Sequence, residues 1–99
     1  MNDADLFRAL GNDRRLQILA WLKDPTGHFP PQRDGDLIED GVCGQLIAEK
    51  LGINASTLSE HMRVLQGSGL VTAKRIKRWT FYRRNIDRLR ALVSIVDGI

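Results

Sequence analysis

Apolar and polar positions along this chain fall into short helical stripes punctuated by glycines, with one alternating stretch in the last third. Leu6, Phe7 and Leu10 recur at helical spacing between Asp3 and Leu10, and Asp3 and Asp5 sit where the helix dipole favours acids. Gly11 interrupts. Asn12 can cap a second helix from Asp13 to about Lys23, in which Leu16, Ile18, Leu19, Ala20, Trp21 and Leu22 make a wide apolar arc and predict a central place in the core. Leu46, Ile47 and Leu51 mark a third helix, Val42 to Leu51, closed by Gly52, which can take the positive φ of a C-terminal cap. Ile53 can pack into the angle that follows, and Asn54 suits the N-cap of a fourth helix, Ala55 to Gln66. Its stripe is Leu58, Met62 and Leu65 with Val64 beside it. Ala55, Ser56, Ser59, Glu60 and Arg63 fall on other faces.

Gly67 and Gly69 then release the chain into alternation. Leu70 to Lys74 predicts one strand, and Trp79 to Arg83, with its aromatics, predicts another. Arg75, Lys77 and Arg78 crowd the hairpin tip between them. Asn85 can cap a last helix, Ile86 to about Val96, whose Ile86, Leu89, Leu92, Val93, Val96 and Ile99 form an apolar stripe. Two helices joined by a short Gly-containing turn read as a helix-turn-helix or as a plain helical hairpin. A basic-tipped hairpin directly after them makes the pattern a winged helix. The predicted fold is mainly α with a small β hairpin, ordered helix, helix, short strand, helix, helix, strand, strand, helix, over a single domain, residues 1–99.

The run from Asp24 to Gly41 breaks the periodicity. It holds all three prolines, and its second half carries Asp34, Asp36, Glu39 and Asp40. Prolines there stop helix and central strand alike. The expectation is a long solvated connection, mobile or functional, whose acids match no calcium-loop spacing. Leu37 and Ile38, followed by Val42, predict a short strand at the base of the hairpin.

The net charge of +3 understates an asymmetry. Between His61 and Arg90 stand nine Lys or Arg and a single acid, Asp87, whereas the preceding residues are on balance acidic. A localised positive patch is what attraction to phosphates requires, and double-stranded DNA is the expected partner. No apolar run approaches the ~18 residues of a membrane span. The start, MNDADLFRAL, has acids where a secretory signal needs bases, which points to the cytoplasm. One cysteine and two histidines exclude a disulfide framework and leave few soft metal ligands. No paired carboxylates with a histidine, phosphate loop or nucleophile triad is present, so an enzyme is the least supported class.

Ser56, Thr57 and Ser59 lie near the start of the fourth helix, where short hydroxyls can approach phosphates or base edges, or simply serve the helix start. Glu60 can accept from a base amine or restrain Arg63, and Arg63 suits a phosphate. Lys74, Arg75, Lys77 and Arg78 are the expected backbone or minor-groove contacts of the wing. The short chain and the apolar last helix predict a homodimer through Leu89, Leu92, Val93 and Val96. Cys43 stands near a helix start, where a thiol can be activated for redox sensing or can be a small buried side chain. An effector, small-molecule or redox, is left open; no cofactor is expected.

The segments LFRALGNDRRLQILAWL, LIAEKLGINASTLSEHMRVLQGSGLV and KRWTFYR resemble the ArsR/SmtB family of bacterial winged helix-turn-helix repressors. The resemblance covers nearly the whole chain and is most specific in STLSEHMRVLQGSGLV. It implies that the 55–66 helix is the recognition helix, that His61 occupies the DNA-facing histidine position, and that the first helix, with Leu6 and Phe7, joins the last in building the dimer. It implies a repressor on a palindromic operator in a bacterial cytoplasm. The family's metal ligands do not carry over. The two cysteines of its thiolate pattern, E-L-C-V-C-D-L, fall on Val42 and Gly44, with Cys43 between them, and the last helix offers Asp87 and Asp97 but no histidine. The alternative is a winged-helix interaction or architectural module without an operator of its own.

Overall fold

The computed structural model describes residues 2–99. Its helices are α1 (Asp3–Leu10), α2 (Asp13–Lys23), α3 (Pro25–His28), α4 (Gly44–Leu51), α5 (Ala55–Gly67) and α6 (Ile86–Asp97), and its strands are β1 (Val42–Cys43), β2 (Val71–Ile76) and β3 (Trp79–Arg84). Side-chain caps set the helix starts. Asn2, Asn12, Asn54 and Asn85 each accept a backbone N–H of the first turn, at α1, α2, α5 and α6 respectively. Gly52, at φ 71°, ends α4 in the left-handed conformation that the turn requires.

The strands form one antiparallel sheet, ordered β1-β3-β2. In the hairpin Val71 faces Arg84 and Ile76 faces Trp79, which leaves Lys77 and Arg78 as a two-residue tip. β1 sits on the other side of β3, with Val42 opposite Tyr82 and Cys43 opposite Phe81. The third helix therefore begins at Gly44, two residues later than its apolar spacing predicts. Val42 and Cys43 are drawn into the sheet, because the exposed edge of β3 offers them hydrogen-bond partners. Leu37 to Asp40 forms a turn rather than the start of that strand.

The core gathers Leu6, Ala9, Ile18, Leu19, Leu22, Phe29, Val42, Ile47, Leu58, Met62, Leu65, Leu70 and Val71, with Phe81 buried beneath the sheet. The arc of α2 is narrower than its composition implies: Ile18, Leu19 and Leu22 face inward, but Leu16 is 48% exposed.

The 24–41 connection is ordered by its own side chains. Pro25 starts the helical turn α3, at the position where a missing N–H costs nothing. Phe29 is buried against Trp21 with ring centroids 6.1 Å apart, and Lys50 lies over both rings. The Gln32 side chain donates to the Gly41 carbonyl at 2.6 Å and accepts from the Cys43 N–H at 2.9 Å, so a single amide closes the free edge of β1. Asp36 accepts from the N–H groups of Ile38 and Glu39, and Asp40 accepts from that of Asp36.

By contrast α6 buries none of its residues fully in this chain. Leu89, Leu92 and Ile95 rest partly on the core, while Ile86, Val93, Val96 and Ile99 stand at 50, 63, 51 and 90% exposure. No helix among the described residues is long and apolar enough to cross a membrane.

Candidate nucleic-acid interface

The sequence positions α5 by burying one stripe. Leu58, Met62 and Leu65 face the core, so the helical period turns Ser56, Ser59, Glu60 and Arg63 outward, all exposed. Thr57 is half-buried; its N–H is held by the Asn54 side chain at 2.8 Å. The exposed Ser56 hydroxyl donates to the same Asn54 oxygen at 3.1 Å. Arg63 is forked onto Glu60 one turn earlier. The pair holds Glu60 below the usual carboxylate range, chiefly through that hydrogen bond and secondarily through the Arg63 charge. A phosphate or base would therefore meet a pre-formed acid–base fork rather than a free guanidinium.

His61 lies on the flank of this helix rather than on its outward face. Its Nδ1 stands 3.2 Å from Nη1 of Arg15, in α2. Desolvation, then Arg15 and Arg14, push its imidazole below its ordinary pKa, while Glu60 pulls the other way.

The wing carries its four cations on both faces and at its tip. Opposed residues of a hairpin share a face. Lys74 thus lies beside Phe81, and Arg75 beside Thr80. The Phe81 face is covered by the 24–41 connection; a Cβ at Gly35 would lie 2.7 Å from the Phe81 ring. On that flank Lys74 donates to Asp40 at 2.5 Å and Lys77 to Asp34 at 2.9 Å. These bonds hold both acids below the usual carboxylate range. The opposite face turns toward the helices, where a Cβ at Gly44 would meet the Tyr82 ring at 3.2 Å and Leu58 at 3.4 Å. Arg75 belongs to this side and donates to the Lys77 carbonyl. Arg78, at the tip, stacks at 4.8 Å on Trp79, which shares the Phe81 face, and reaches round to line a groove of about 520 Å³ with Ala55, Ser59, Thr80 and Tyr82. Ser59 and Arg78, nineteen residues apart in the chain, are thus walls of one groove between helix and wing.

Of the residues expected at a dimer face, Leu6 is fully buried in the chain's own core, while Phe7, Leu89 and Leu92 are partly buried and Val93 and Val96 exposed. Cys43 is a free, half-buried thiol beneath the 31–34 segment, beside Trp79 and Phe81. No group of three or more His, Cys, Asp or Glu among the described residues is arranged to hold a metal ion. Sequence reasoning missed Arg15, Gln32, Asp34 and Asp40 as parts of this arrangement. Each acts through a partner far away in the chain, and local periodicity carries no signal for that.

Known proteins resemble this chain along almost its whole length. The uncharacterized HTH-type transcriptional regulator YbzH of Bacillus subtilis is 38% identical over 97% of this chain and 96% of its own. The transcriptional activator HlyU of Vibrio cholerae is 28% identical over 95% of this chain and 73% of its own. Among solved structures, the homodimeric winged helix-turn-helix DNA-binding domain Mb0332 of Mycobacterium bovis superposes with a TM-score of 0.66 at 33% identity, covering 96% of this chain and 77% of that one. Residues 43–73, which hold α4, α5 and the first half of β2, match the family model described as bacterial regulatory protein, arsR family. The chain is a winged-helix transcriptional regulator and belongs to the ArsR family.

Proposed function

We propose that the protein is a homodimer that binds a palindromic operator with α5 in the major groove and the wing on the adjacent backbone or minor groove, in the cytoplasm of a bacterium. The observation that carries this reading is the groove between Ser59 and Arg78, flanked by the outward Ser56, Glu60 and Arg63. A polar helix face and a cationic wall meet there, as a reading element and a backbone contact must. The exposed Val93 and Val96 support a two-fold partner, and Mb0332 is described as homodimeric. Two copies of α5 would then enter major grooves about 34 Å apart. Occupying such a site blocks transcription by occlusion, so repression is the direction proposed. Selection from random DNA at fixed salt tests the reading. A two-fold symmetric consensus is expected; a folded protein that enriches no sequence would refute it and favour an architectural module.

A further inference from the structure

One side chain ties α5 to the N-terminal helices. Arg15, in the first turn of α2, donates from Nε to the Ala9 carbonyl at 2.7 Å and from Nη2 to the Arg8 carbonyl at 3.3 Å. Both are last-turn carbonyls of α1; that of Arg8 also accepts from the Gly11 N–H at 3.3 Å, so Arg15 adds to the cap that closes the helix. The backbone N–H of Arg15 is held by Asn12 at 3.1 Å, which fixes the α1–α2 corner. The remaining arm, Nη1, points at His61 Nδ1 at 3.2 Å. A guanidinium has donors only. The imidazole nitrogen facing it must therefore accept, and the single ring proton sits on Nε2, the edge away from Arg15. With Arg14 also nearby, no second cationic charge is favoured on that ring.

We propose that Arg15 is a positioning residue for DNA reading: anchored on α1, it holds His61 as the Nε2–H tautomer, so that the flank of α5 presents one fixed hydrogen-bond donor to an acceptor on DNA. The inference rests on α5 being the reading helix. Two acceptors share the required chemistry, a phosphate oxygen and a purine N7. A free imidazole would populate both tautomers and offer a donor or an acceptor at that edge. The fixed one offers a donor alone, and an amino group placed there would be rejected.

The test combines a spectrum with a mutant cycle on the full chain and its selected DNA. Nitrogen-15 NMR of the His61 ring at pH 7.5 is expected to show Nε2 protonated and Nδ1 bare, with a tautomer mixture in Arg15→Ala. Arg15→Ala is expected to weaken binding about tenfold, the scale of one hydrogen bond, and to add nothing once His61→Ala is present. Arg15→Lys, also a pure donor, is expected to restore the tautomer and keeps the question answerable if Arg15→Ala melts. Replacing single purines by their 7-deaza forms, and single phosphates by methylphosphonates, identifies the acceptor: only the true one removes the His61 effect. The proposal is overturned if Nδ1 carries the proton, or if Arg15→Ala costs the same with and without His61. If the wild-type chain selects no DNA, the reading of α5 falls as well; if it selects DNA and the cycle shows no coupling, only the role of Arg15 falls.

Discussion

The division of the wing predicts unequal lysines and arginines. Lys74 and Lys77 already neutralise Asp40 and Asp34, at 2.5 and 2.9 Å, whereas Arg75 and Arg78 have no carboxylate within salt-bridge distance among the described residues. A cation that neutralises a phosphate releases a counterion, which makes the affinity fall with salt by about 0.9 logarithmic units per contact. Arg75→Ala and Arg78→Ala should each flatten the salt slope by about that amount, whereas Lys74→Ala and Lys77→Ala should barely move it. Asp34→Asn with Asp40→Asn should steepen the slope by up to about 1.8 units. Relative to 1 M salt, that is about an eightfold gain in affinity at 0.1 M for each lysine released. Glu39→Gln changes the charge of the same connection without touching the wing, so it measures the contribution of net charge alone. Fluorescence anisotropy on the selected operator between 0.1 and 0.4 M salt reads all of these. Both acids are held below the usual carboxylate range, so the pattern should persist from pH 5 to 8. Equal slopes lost on removing the lysines and the arginines would refute it, because the carboxylates would then yield to phosphate at no cost.

Three further outcomes follow from burial and backbone geometry. Val93→Asp with Val96→Asp should split the proposed dimer in sedimentation: about 1 kcal/mol for each half-exposed valine, taken over both protomers, weakens association about a thousandfold. Gly41→Ala should destabilise the fold by about 3 kcal/mol in urea, because φ is 107° and a Cβ would lie 2.5 Å from the Tyr82 carbonyl oxygen, on β3. His61 is held below its unfolded pKa of about 6.5, so below that pH the unfolded chain binds the extra proton more readily. Stability should therefore hold above pH 6.5 and fall beneath it, and this component should vanish from the urea midpoints of His61→Gln.

The parts legible in the sequence were those fixed by local rules. The caps Asn12, Asn54 and Asn85, with Gly52 and the buried Leu58–Met62–Leu65 stripe, set α2, α5 and α6 and the turn before α5, because each depends on neighbours within one helical turn; the Asn2 cap of α1 was seen only in the structure. The start of α4 was not legible, since Val42 and Cys43 answer to Tyr82 and Phe81 across the sheet. The 24–41 connection failed for the same reason. Its prolines and acids read as a solvated tether, yet Phe29, Gln32, Asp34 and Asp40 find a ring, a strand edge and two lysines elsewhere in the chain. That failure bears on function. Composition weighs every lysine and arginine of the wing alike, and only pairing across the fold separates cations already engaged by a carboxylate from the others. On the proposed mode of binding, the acids of this connection set how strongly the wing holds DNA, and the salt slopes of the Asp34 and Asp40 variants measure that effect directly.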